Sequence, residues 1–538
     1  MAIDYGQLAR RKVVAWFRSA PEDEAAKAFV GRNFVVQSWQ EAELADDVLL
    51  SGASAVVFVQ KAQRPTEVAS DLARYGARIL DLGCNVIVRP LGGHVRSIAN
   101  VANRERLPIA GLQDEVSDVR AEIGAWQKVP GDPPRPHLHL YFPAVPWRDV
   151  ANDEMDHPAG PPPFADLRIL PARGAGPPDA RFCRLARRAF RDCREIHLAP
   201  LPGGKSGARV FLAFADVRGT WSMPFFVKMG ERGEIFEEYR KYEDHVDAYV
   251  PFHLGPNLDY ARCCLGAHDG LLVGDFVEES ESLLDCARDG RGSPAIACLF
   301  ERTLRGWHGH VEHRHEVPAK ALPFPAEVGL GRWLRARELG ASRSVDDLRA
   351  VLDRCVPTPF LWGRTHGDLH ASNVRVRGTE AILIDFLQCG EGPLIRDAAA
   401  LEASLFVGSL DPRGDQDAEA DPAEQEGRFS AWRASVEPLY REIGLRVVPA
   451  SPRPQDPWAW FHLCVRQIRM HAFHMERAAG QYALALAAAL LFKAGKDDGV
   501  DDPERSTRAL AYVYGEQLLL AAAQCFSGRP VNTTEAPQ

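Results

Sequence analysis

Short β-branched and aromatic runs alternate with helical patterns over the first 128 positions of the chain. The runs are apolar throughout, which is typical of parallel strands buried on both faces, and the segments between them space apolar residues three or four apart. This alternation predicts a doubly wound α/β domain over residues 1–129. The predicted strands are 12–17, 34–38, 55–59 and 85–89, and the predicted helices are 22–30, 41–50 and 66–82.

The order of these elements resembles a response-regulator receiver domain, and Arg89-Pro90 matches a basic residue and proline of that family. A receiver has a phosphate-accepting aspartate at the end of its third strand, where this chain has Gln60. The acidic cluster expected after the first strand is replaced by Phe17-Arg18-Ser19. A carboxamide accepts no phosphoryl group, so the sequence predicts a degenerate, non-phosphorylated receiver or another flavodoxin-like domain.

Two later segments differ in composition from their surroundings. Proline and glycine dominate residues 130–178, which predicts a linker without helices. Within it, residues 137–142 are predicted to add one strand to either neighbouring domain. Residues 408–427 hold seven Asp and Glu, which predicts a solvated, disordered insertion. Beyond residue 457 the pattern is helical, over 458–480, 481–493 and 502–525.

The segment Thr365–Asn373 holds the most informative chemistry. Asp368 and Asn373 are five residues apart, in the D-x-x-x-x-N arrangement of a kinase catalytic loop, and Asp385 follows twelve residues later in an apolar strand. A carboxylate at a buried strand end needs a cation, which Mg²⁺ on ATP phosphates supplies, with Asn373 as a second oxygen ligand. Asp368 then orients the attacking hydroxyl and accepts its proton. Either aspartate alone fits a helix cap or a salt bridge, but the combination favours a catalytic site.

The sequence H-G-D-L-H-x-x-N followed by I-D-F resembles the aminoglycoside phosphotransferase and choline kinase branch of the kinase-like superfamily. The resemblance spans residues 181–527 and implies a bilobal α+β domain. Gly367 replaces the arginine of protein kinases, which implies that activation-loop control of that type is absent. The implied parts are a first lobe over 179–277, a helical lobe over 278–530 and a tail over 531–538.

The resemblance also implies structural support for the catalytic loop. Asp397, at the start of a helix, matches an aspartate that braces this loop through backbone hydrogen bonds, and His366 is a further structural residue. Arg396-Asp397 and the following Leu401–Ser404 are also similar to bacterial kinase-like modules called ternary complex associated domains.

The nucleotide half of such a site is predicted upstream. Residues 198–214 form a strand, a glycine turn and a strand, in which backbone amides approach phosphates closely; an ordinary hairpin is the alternative. A Walker A loop is rejected because position 199 is alanine. Lys228 ends the next strand, in the place of the phosphate-binding lysine of kinases. An acid of the following helix is expected to orient this lysine; we favour Glu238, with Glu237 as the second choice. The remaining candidate nucleotide-binding residues are Gly203, Gly204, Lys205, Ser206 and Gly207 in the turn, and Asp275 and Val277 beside the adenine.

Two weaker patterns remain. His308, His310, His313 and His315 crowd one stretch with Glu312 and suggest either a metal site or, as we favour, a polar helix surface. A helix over 184–194 has a basic face whose arginines pack on the lobe or meet the acidic insertion.

Composition narrows the functional classes. The net charge of −9 argues against a general nucleic-acid or membrane binder. The 11 cysteines have no metal-binding spacing, and no apolar run reaches the ~20 residues of a membrane span, so we expect a cytoplasmic protein. The first hypothesis is an enzyme that transfers the ATP γ-phosphoryl group to a hydroxyl of a small molecule or protein. The alternative is a nucleotide-binding regulatory module that signals to a partner protein through its N-terminal domain.

Overall fold

Six short apolar strands near the start of the chain form a parallel sheet in the order β2-β1-β3-β4-β6-β5. Strands β3 and β4 are almost wholly buried, and separate hydrophobic clusters cover the two faces of the sheet. This confirms the predicted parallel sheet, although β6 lies between β4 and β5. The strands are β1 (Val13–Phe17), β2 (Val35–Trp39), β3 (Ala53–Val59), β4 (Asn85–Arg89), β5 (Ile109–Ala110) and β6 (Leu138–Leu140).

The computed structural model describes residues 11–64, 66–91, 94–110, 136–156, 162–172, 176, 178–201, 208–217, 219–410, 422–441, 449, 455–496 and 505–526. The chain divides into two units. Unit 1 comprises Met1–Tyr239 and Asn257–Phe276, and unit 2 comprises Arg240–Pro256 and Val277–Gln538.

The helices around the parallel sheet include α5, which the sequence did not predict, and a break in the second predicted helix. The expected helix 41–50 is two short helices, because the Asp46 side chain accepts hydrogen bonds from the amides of Val48 and Leu49 and starts a new helix there. The helices are α1 (Asp23–Val30), α2 (Glu41–Leu44), α3 (Asp47–Ser51), α4 (Glu67–Asp81), α5 (Val95–Arg104) and α6 (Trp147–Asp156).

Helix α6 corrects the prediction of a helix-free linker. Pro143 and Pro146 precede the helix, where proline interrupts no helical hydrogen bond. Trp147 is buried, with its ring centroid 5.2 Å from that of Trp16 on β1. The apolar layer of the first domain therefore continues past residue 129.

The second sheet of unit 1 has the order β12-β13-β11-β9-β8-β7, with β10 paired to β9, and only β7 and β8 are parallel neighbours. Strand β7 also lies in the predicted linker, and the predicted helix 184–194 ends at Ala189 because the chain turns there into β8. The elements are β7 (Arg168–Pro171), α7 (Ala180–Ala189), β8 (Cys193–Pro200), β9 (Arg209–Val217), β10 (Thr220–Trp221), β11 (Phe225–Glu231), α8 (Arg232–His245), β12 (Cys264–Leu265) and β13 (Asp269–Asp275).

Two arginines of α7 fasten the first domain to this second sheet. Nε and Nη2 of Arg184 donate to Oδ2 of Asp81 at 3.2 and 2.9 Å, and the amide of Ala267 donates to its Oδ1 at 3.0 Å. Arg188 donates to the carbonyls of Asp81 and Leu265 at 3.2 and 2.7 Å. Because Asp81 is 2% exposed, removing either cation leaves a buried polar group unsatisfied.

Unit 2 is largely helical and holds two three-stranded sheets, β14-β17-β18 and β15-β16-β19. Its strands are β14 (Glu281–Ser282), β15 (Glu312–Glu316), β16 (Thr358–Thr365), β17 (Val374–Arg377), β18 (Glu380–Leu383) and β19 (Gly390–Pro393). Its α-helices are α9 (Leu283–Arg288), α10 (Gly292–Cys298), α11 (Arg305–His308), α12 (Pro318–Ala321), α13 (Leu330–Leu339), α14 (Val345–Asp353), α15 (Ile395–Val407), α16 (Pro422–Arg441), α17 (Ala459–Met475), α18 (Gln481–Gly495) and α19 (Arg505–Cys525). Short 3₁₀ or π turns cover Phe252–Leu254, Leu299–Thr303 and Ala371–Asn373.

The core of unit 2 forms around α18, which is buried along most of its length. A polar network crosses this core: Arg469 donates to both carboxylate oxygens of Glu402 at 3.1 and 2.6 Å, and the hydroxyl of Tyr482 donates to Glu402 at 2.6 Å. All three side chains are buried, so the network fixes α15, α17 and α18 relative to one another.

The predicted acidic insertion is described only in part, and the predicted C-terminal tail is not described. Residues 422–427 of the predicted disordered insertion are helical, as the first turns of α16, since they extend a helix with buried Phe429 and Trp432. Residues 411–421 of that insertion and the tail 531–538 lie outside the described residues. Within the described ranges no helix is both long and apolar enough to span a bilayer.

Candidate active site

The predicted catalytic loop joins β16 to β17 in unit 2. Gly367 has a φ of +78°, and a Cβ there would lie 2.1 Å from the carbonyl oxygen of Gln388. A larger residue would clash with the backbone as well as strain the loop. The local geometry therefore requires glycine where protein kinases have arginine.

Asp397 holds the start of this loop from the first turn of α15. Its Oδ2 accepts from the amide of His366 at 2.7 Å, and its Oδ1 accepts from the amide of Gly367 at 3.1 Å. Burial raises the pKa of Asp397 although the adjacent charges and amides act to lower it. Both carboxylate oxygens thus position the loop backbone directly before Asp368.

His366 connects the loop to the segment that carries Asp385. Its ring is fully buried, and Nε2 lies 3.0 Å from the carbonyl oxygen of Ile384. Because a carbonyl only accepts hydrogen bonds, Nε2 is the protonated nitrogen of this ring. The histidine therefore fixes the backbone one residue before Asp385.

Asn373 and Asp385 lie at the open end of the β17–β18 hairpin. The amide of Ile384 donates to the carbonyl of Asn373 at 3.0 Å, and Nδ2 of Asn373 donates to the carbonyl of Asp368 at 3.1 Å. With Nδ2 engaged in this way, Oδ1 is the atom of Asn373 that can ligate a cation. The three residues named by the motif are thus brought together by one loop and one hairpin.

The expectation that Asp385 is buried is wrong. Strand β18 ends at Leu383, and Asp385 is an exposed residue with a φ of +65°. Left-handed backbone is uncommon for residues other than glycine and is often found at functional sites. A solvated carboxylate with fixed backbone remains suited to binding a cation, but burial does not force it to do so.

Asp368 is partly exposed and faces basic groups. Nε2 of His370 lies 3.7 Å from its Oδ2, and Nζ of Lys496 lies 3.8 Å from its Oδ1. Burial acts to raise the pKa of Asp368, but His370, Lys496 and Lys493 together lower it. Burial, together with the charge of Lys493, lowers the pKa of His370.

Lys228 and Glu238 form an ion pair within unit 1. Nζ of Lys228, on β11, lies 2.8 Å from Oε2 of Glu238 on α8, and the two side chains are 12% and 8% exposed. Glu237 is exposed, so of the two acids considered, Glu238 is the partner of the lysine. The pairing is therefore present, while its role toward a nucleotide stays a prediction.

The other predicted nucleotide contacts are less defined. The turn with Gly203, Gly204, Lys205, Ser206 and Gly207 lies outside the described residues. Asp275 ends β13 as an exposed residue whose amide donates to the carbonyl of Asn257 at 2.9 Å, and Val277 is the first residue of the following segment of unit 2.

The donor set at the hairpin fits a magnesium–nucleotide complex. Mg²⁺ in such sites takes one or two protein oxygens and completes its shell with phosphates and water. Oδ1 of Asn373 and the carboxylate of Asp385 would provide those two oxygens. Among the described residues no group of three or more His, Cys, Asp or Glu could hold a metal ion by itself.

The histidine-rich stretch does not form the expected helix face. His308 ends α11, whereas His313 and His315 are exposed on β15, because residues 312–316 form a backbone ladder with β16. Burial, assisted by the charge of His471, lowers the pKa of His308 to about 4, and its ring stacks on Phe300. His308 is thus a neutral packed residue.

At the carboxyl-terminal edge of the parallel sheet, where β3 and β4 end, the two residues that match functional positions of receiver domains bind backbone. Gln60 is 3% exposed and its Oε1 accepts from the amide of Leu91 at 2.9 Å. Arg89 donates to the carbonyls of Pro143 and Val145, and its guanidinium lies 4.1 Å from the ring centroid of Trp147. Both side chains serve folding here.

The structure adds functional candidates that the sequence analysis missed. Arg396, Phe492, Lys493 and Lys496 line a cavity of about 320 Å³ together with Asp368. The sequence pattern that could have indicated Lys493 is its position directly after the apolar run that begins at Tyr482. Their proximity to a loop more than 100 residues earlier could not be deduced from that pattern.

The comparison with protein-family models agrees with the motif. Residues 197–434 match the model of the phosphotransferase enzyme family (APH). This confirms, for the matched segment, the resemblance that its catalytic-loop motif indicated. No curated protein matches the chain at significant similarity.

Solved structures with related names are also similar to parts of the chain. A type VIII aminoglycoside-3'-phosphotransferase is 17% identical over 51% of this chain and 93% of its own, with a TM-score of 0.27. An aminoglycoside phosphotransferase from Alicyclobacillus acidocaldarius is 11% identical over 66% and 97%, with a TM-score of 0.32. A choline/ethanolamine kinase family protein from Mesorhizobium loti is 14% identical over 61% and 92%, with a TM-score of 0.27. At these scores the likeness assigns neither substrate nor mechanism.

Proposed function

We propose that the chain is an ATP- and magnesium-dependent phosphotransferase that phosphorylates a hydroxyl group of a small molecule. The observation that carries this proposal is the fixed relation of Asp368, Asn373 and Asp385. Asp397 and His366 hold the loop on one side, and the hairpin bond between Asn373 and Ile384 holds it on the other. The family match over residues 197–434 supports the same class.

Each residue has a distinct role in this proposal. Lys228, oriented by Glu238, contacts the nucleotide phosphates, and Asn373 and Asp385 provide the metal ligands. Bound magnesium neutralises the charge of the phosphate oxygens. Asp368 accepts a hydrogen bond from the attacking hydroxyl, which aligns the oxygen and receives its proton as transfer proceeds.

The nucleotide-binding regulatory module is retained as a second candidate because of one contact. The Arg184–Asp81 ion pair joins the N-terminal domain to the sheet that carries Lys228, within unit 1. In this candidate the N-terminal domain responds to nucleotide and presents the result to a protein partner. Cytoplasmic location and a protein acceptor also stay predictions.

The test is ADP release and self-phosphorylation by the full chain with MgATP and a panel of hydroxyl compounds. We expect acceptor-dependent turnover that Asp368→Ala and Asp385→Ala abolish. Asp289→Asn, at an exposed acid of unit 2, is the matched control and should retain turnover. Tight MgATP binding without mutant-sensitive turnover against any acceptor would refute the enzyme and favour the regulatory module.

A further inference from the structure

The cavity beside Asp368 has an unusual charge for a carboxylate site. Its lining within the described residues includes Asp368 and three cations, which are Arg396, Lys493 and Lys496. All of these residues belong to unit 2. A volume of about 320 Å³ is at the small end of the range for ligand pockets and matches a compound of monosaccharide or hydroxy-acid size.

Buried arginines hold the backbone of the two cavity lysines where α18 ends. Nη1 of the buried Arg332 donates to the carbonyls of Ala494 and Lys496, both at 2.6 Å. Arg508 donates to the carbonyl of Lys493 at 2.9 Å. The backbone of both lysines is therefore fixed where α18 ends, which reduces the ordering that ligand binding requires.

The third cation is attached to the catalytic loop itself. Nη2 of Arg396 donates to the carbonyl of Gly367 at 2.8 Å, one residue before Asp368. On the opposite side, Nζ of Lys496 lies 3.8 Å from Asp368 and 5.8 Å from the ring centroid of Phe492. Positive charge thus faces the cavity from α15 and from the end of α18.

We propose that the acceptor is a small hydroxyl compound that carries a negative charge, such as a carboxylate or phosphate, bound by Lys493, Lys496 and Arg396 with its hydroxyl at Asp368. This inference rests on the proposed function and specifies its substrate class. A cationic acceptor would place like charges together in a partly desolvated cavity, which is unfavourable. An anionic one forms charge-assisted hydrogen bonds with the same side chains.

The chemical step balances without a further reactant. The acceptor oxygen forms a bond to the γ-phosphorus of ATP as the bond from that phosphorus to the β,γ-bridging oxygen breaks. The hydroxyl proton passes to Asp368, which later releases it to solvent. The products are ADP and the phosphorylated acid.

The test compares acceptors that share a hydroxyl but differ in charge: glycerate, glycerol and ethanolamine, and gluconate, glucose and glucosamine. With the full chain and MgATP, kcat/KM from ADP release should be at least about tenfold higher for the anionic member of one set. Lys496→Gln and Lys493→Gln should remove most of that preference by raising the KM for the acid, with the KM for ATP unchanged. Lys496→Arg should retain it, and Lys320→Gln, at an exposed lysine of α12, is the matched control.

Two outcomes would overturn the proposal. Equal loss of kcat for all acceptors in Lys496→Gln would show that this lysine acts through Asp368 or ATP and does not recognise the charge of the acceptor. A preference for the cationic member would show that other charges dominate; Asp497, Asp498, Asp501 and Asp502 follow Lys496 in the sequence, outside the described residues.

A binding measurement separates this inference from the proposed function. Calorimetric titration of the wild type without ATP should show that glycerate or gluconate binds more tightly than its cationic counterpart, and that Lys496→Gln weakens it. That result supports the cationic cavity even if no turnover occurs. Equal binding of the acids and amines contradicts the inference even if the chain proves to be a kinase.

Discussion

The edge of the parallel sheet and the end of the β17–β18 hairpin use polar residues in opposite ways. At each, a polar residue follows a buried apolar strand: Gln60 after β3 and Asp385 after β18. Gln60 is buried and bound to the amide of Leu91, whereas Asp385 is exposed in left-handed backbone. A buried polar residue at a strand end therefore belongs to the fold, whereas an exposed one in left-handed backbone is the better functional candidate.

The comparison extends to the residues around each position. Arg89 and Gln60 bind backbone at the sheet edge, so that edge is part of the fold. At the hairpin, Asp397 and His366 bind backbone next to Asp368 and Asp385, and Asn373 binds the carbonyl of Asp368. In the proposed function, these contacts support the residues that carry out the chemistry.

The largest expected effect comes from Asp368→Asn. Loss of the proton-accepting carboxylate should lower kcat by about 10²- to 10⁴-fold without changing nucleotide affinity. The matched change Asp289→Asn should leave kcat within about twofold of wild type, as expected for an exposed acid. Steady-state ADP release measures both effects. An active Asp368→Asn variant would show that the hairpin residue, like Gln60 at the sheet edge, has no catalytic role.

The opposite end of the parallel strands provides a pH test. Glu154 is buried and accepts hydrogen bonds from Ser54 and Asn85, yet burial raises its pKa from 4.5 to about 7. Between pH 4.5 and 7 the folded chain holds a proton that the unfolded chain has released. The free energy of unfolding should therefore fall as the pH rises through this range, by up to about 3 kcal/mol. Thermal unfolding across this range measures it.

Glu154→Gln is the control for that experiment. It removes the titrating group, so this part of the pH dependence should disappear while kcat stays unchanged. A slope that persists in the variant would assign the effect to other groups.

Asp397→Asn should have an intermediate effect on activity. The amide retains one accepting oxygen for two backbone amides, so the loop before Asp368 loses part of its support. We expect kcat to fall about 10- to 100-fold, as for other residues that position a ligand or base. Asp353→Asn, at an exposed residue of α14, should have no effect, and an unchanged kcat in Asp397→Asn would show that the loop holds its geometry without this carboxylate.

Gln60→Ala should have the smallest effect. Leaving the half-buried amide of Leu91 without its acceptor should lower stability by about 1 kcal/mol while kcat is unchanged. Lys61→Ala, at the adjacent exposed position, is the control for stability. A large loss of activity in Gln60→Ala would show that the sheet edge has a functional role.

Local patterns were sufficient to predict most strands and the composition of the catalytic loop. Strand β4 begins and ends as expected, because a continuous apolar run between turn residues leaves little alternative. Asp368 and Asn373 could be recognised because their spacing within one loop determines their geometry. The helix after the strand of Lys228 provided two candidate acids, and burial distinguishes Glu238 from Glu237.

What failed depended on contacts distant in sequence. The proline content around residue 147 hides helix α6, because the helix depends on packing of Trp147 against Trp16, which is more than 100 residues away. Burial of Asp385 was inferred from the strand before it, although the strand ends two residues earlier. Lys493 and Lys496 gave no motif, because their role depends on where α18 packs.

The most direct test of the account is calorimetric binding of ATP with and without Mg²⁺ to the wild type, Asp368→Asn and Asp385→Ala. In the proposed mechanism, Asn373 and Asp385 bind the metal and Asp368 accepts the proton. We expect that Asp385→Ala loses the magnesium-dependent gain in ATP affinity, while Asp368→Asn keeps that gain and loses turnover. An unchanged gain in Asp385→Ala would contradict the metal assignment on which the proposed mechanism depends.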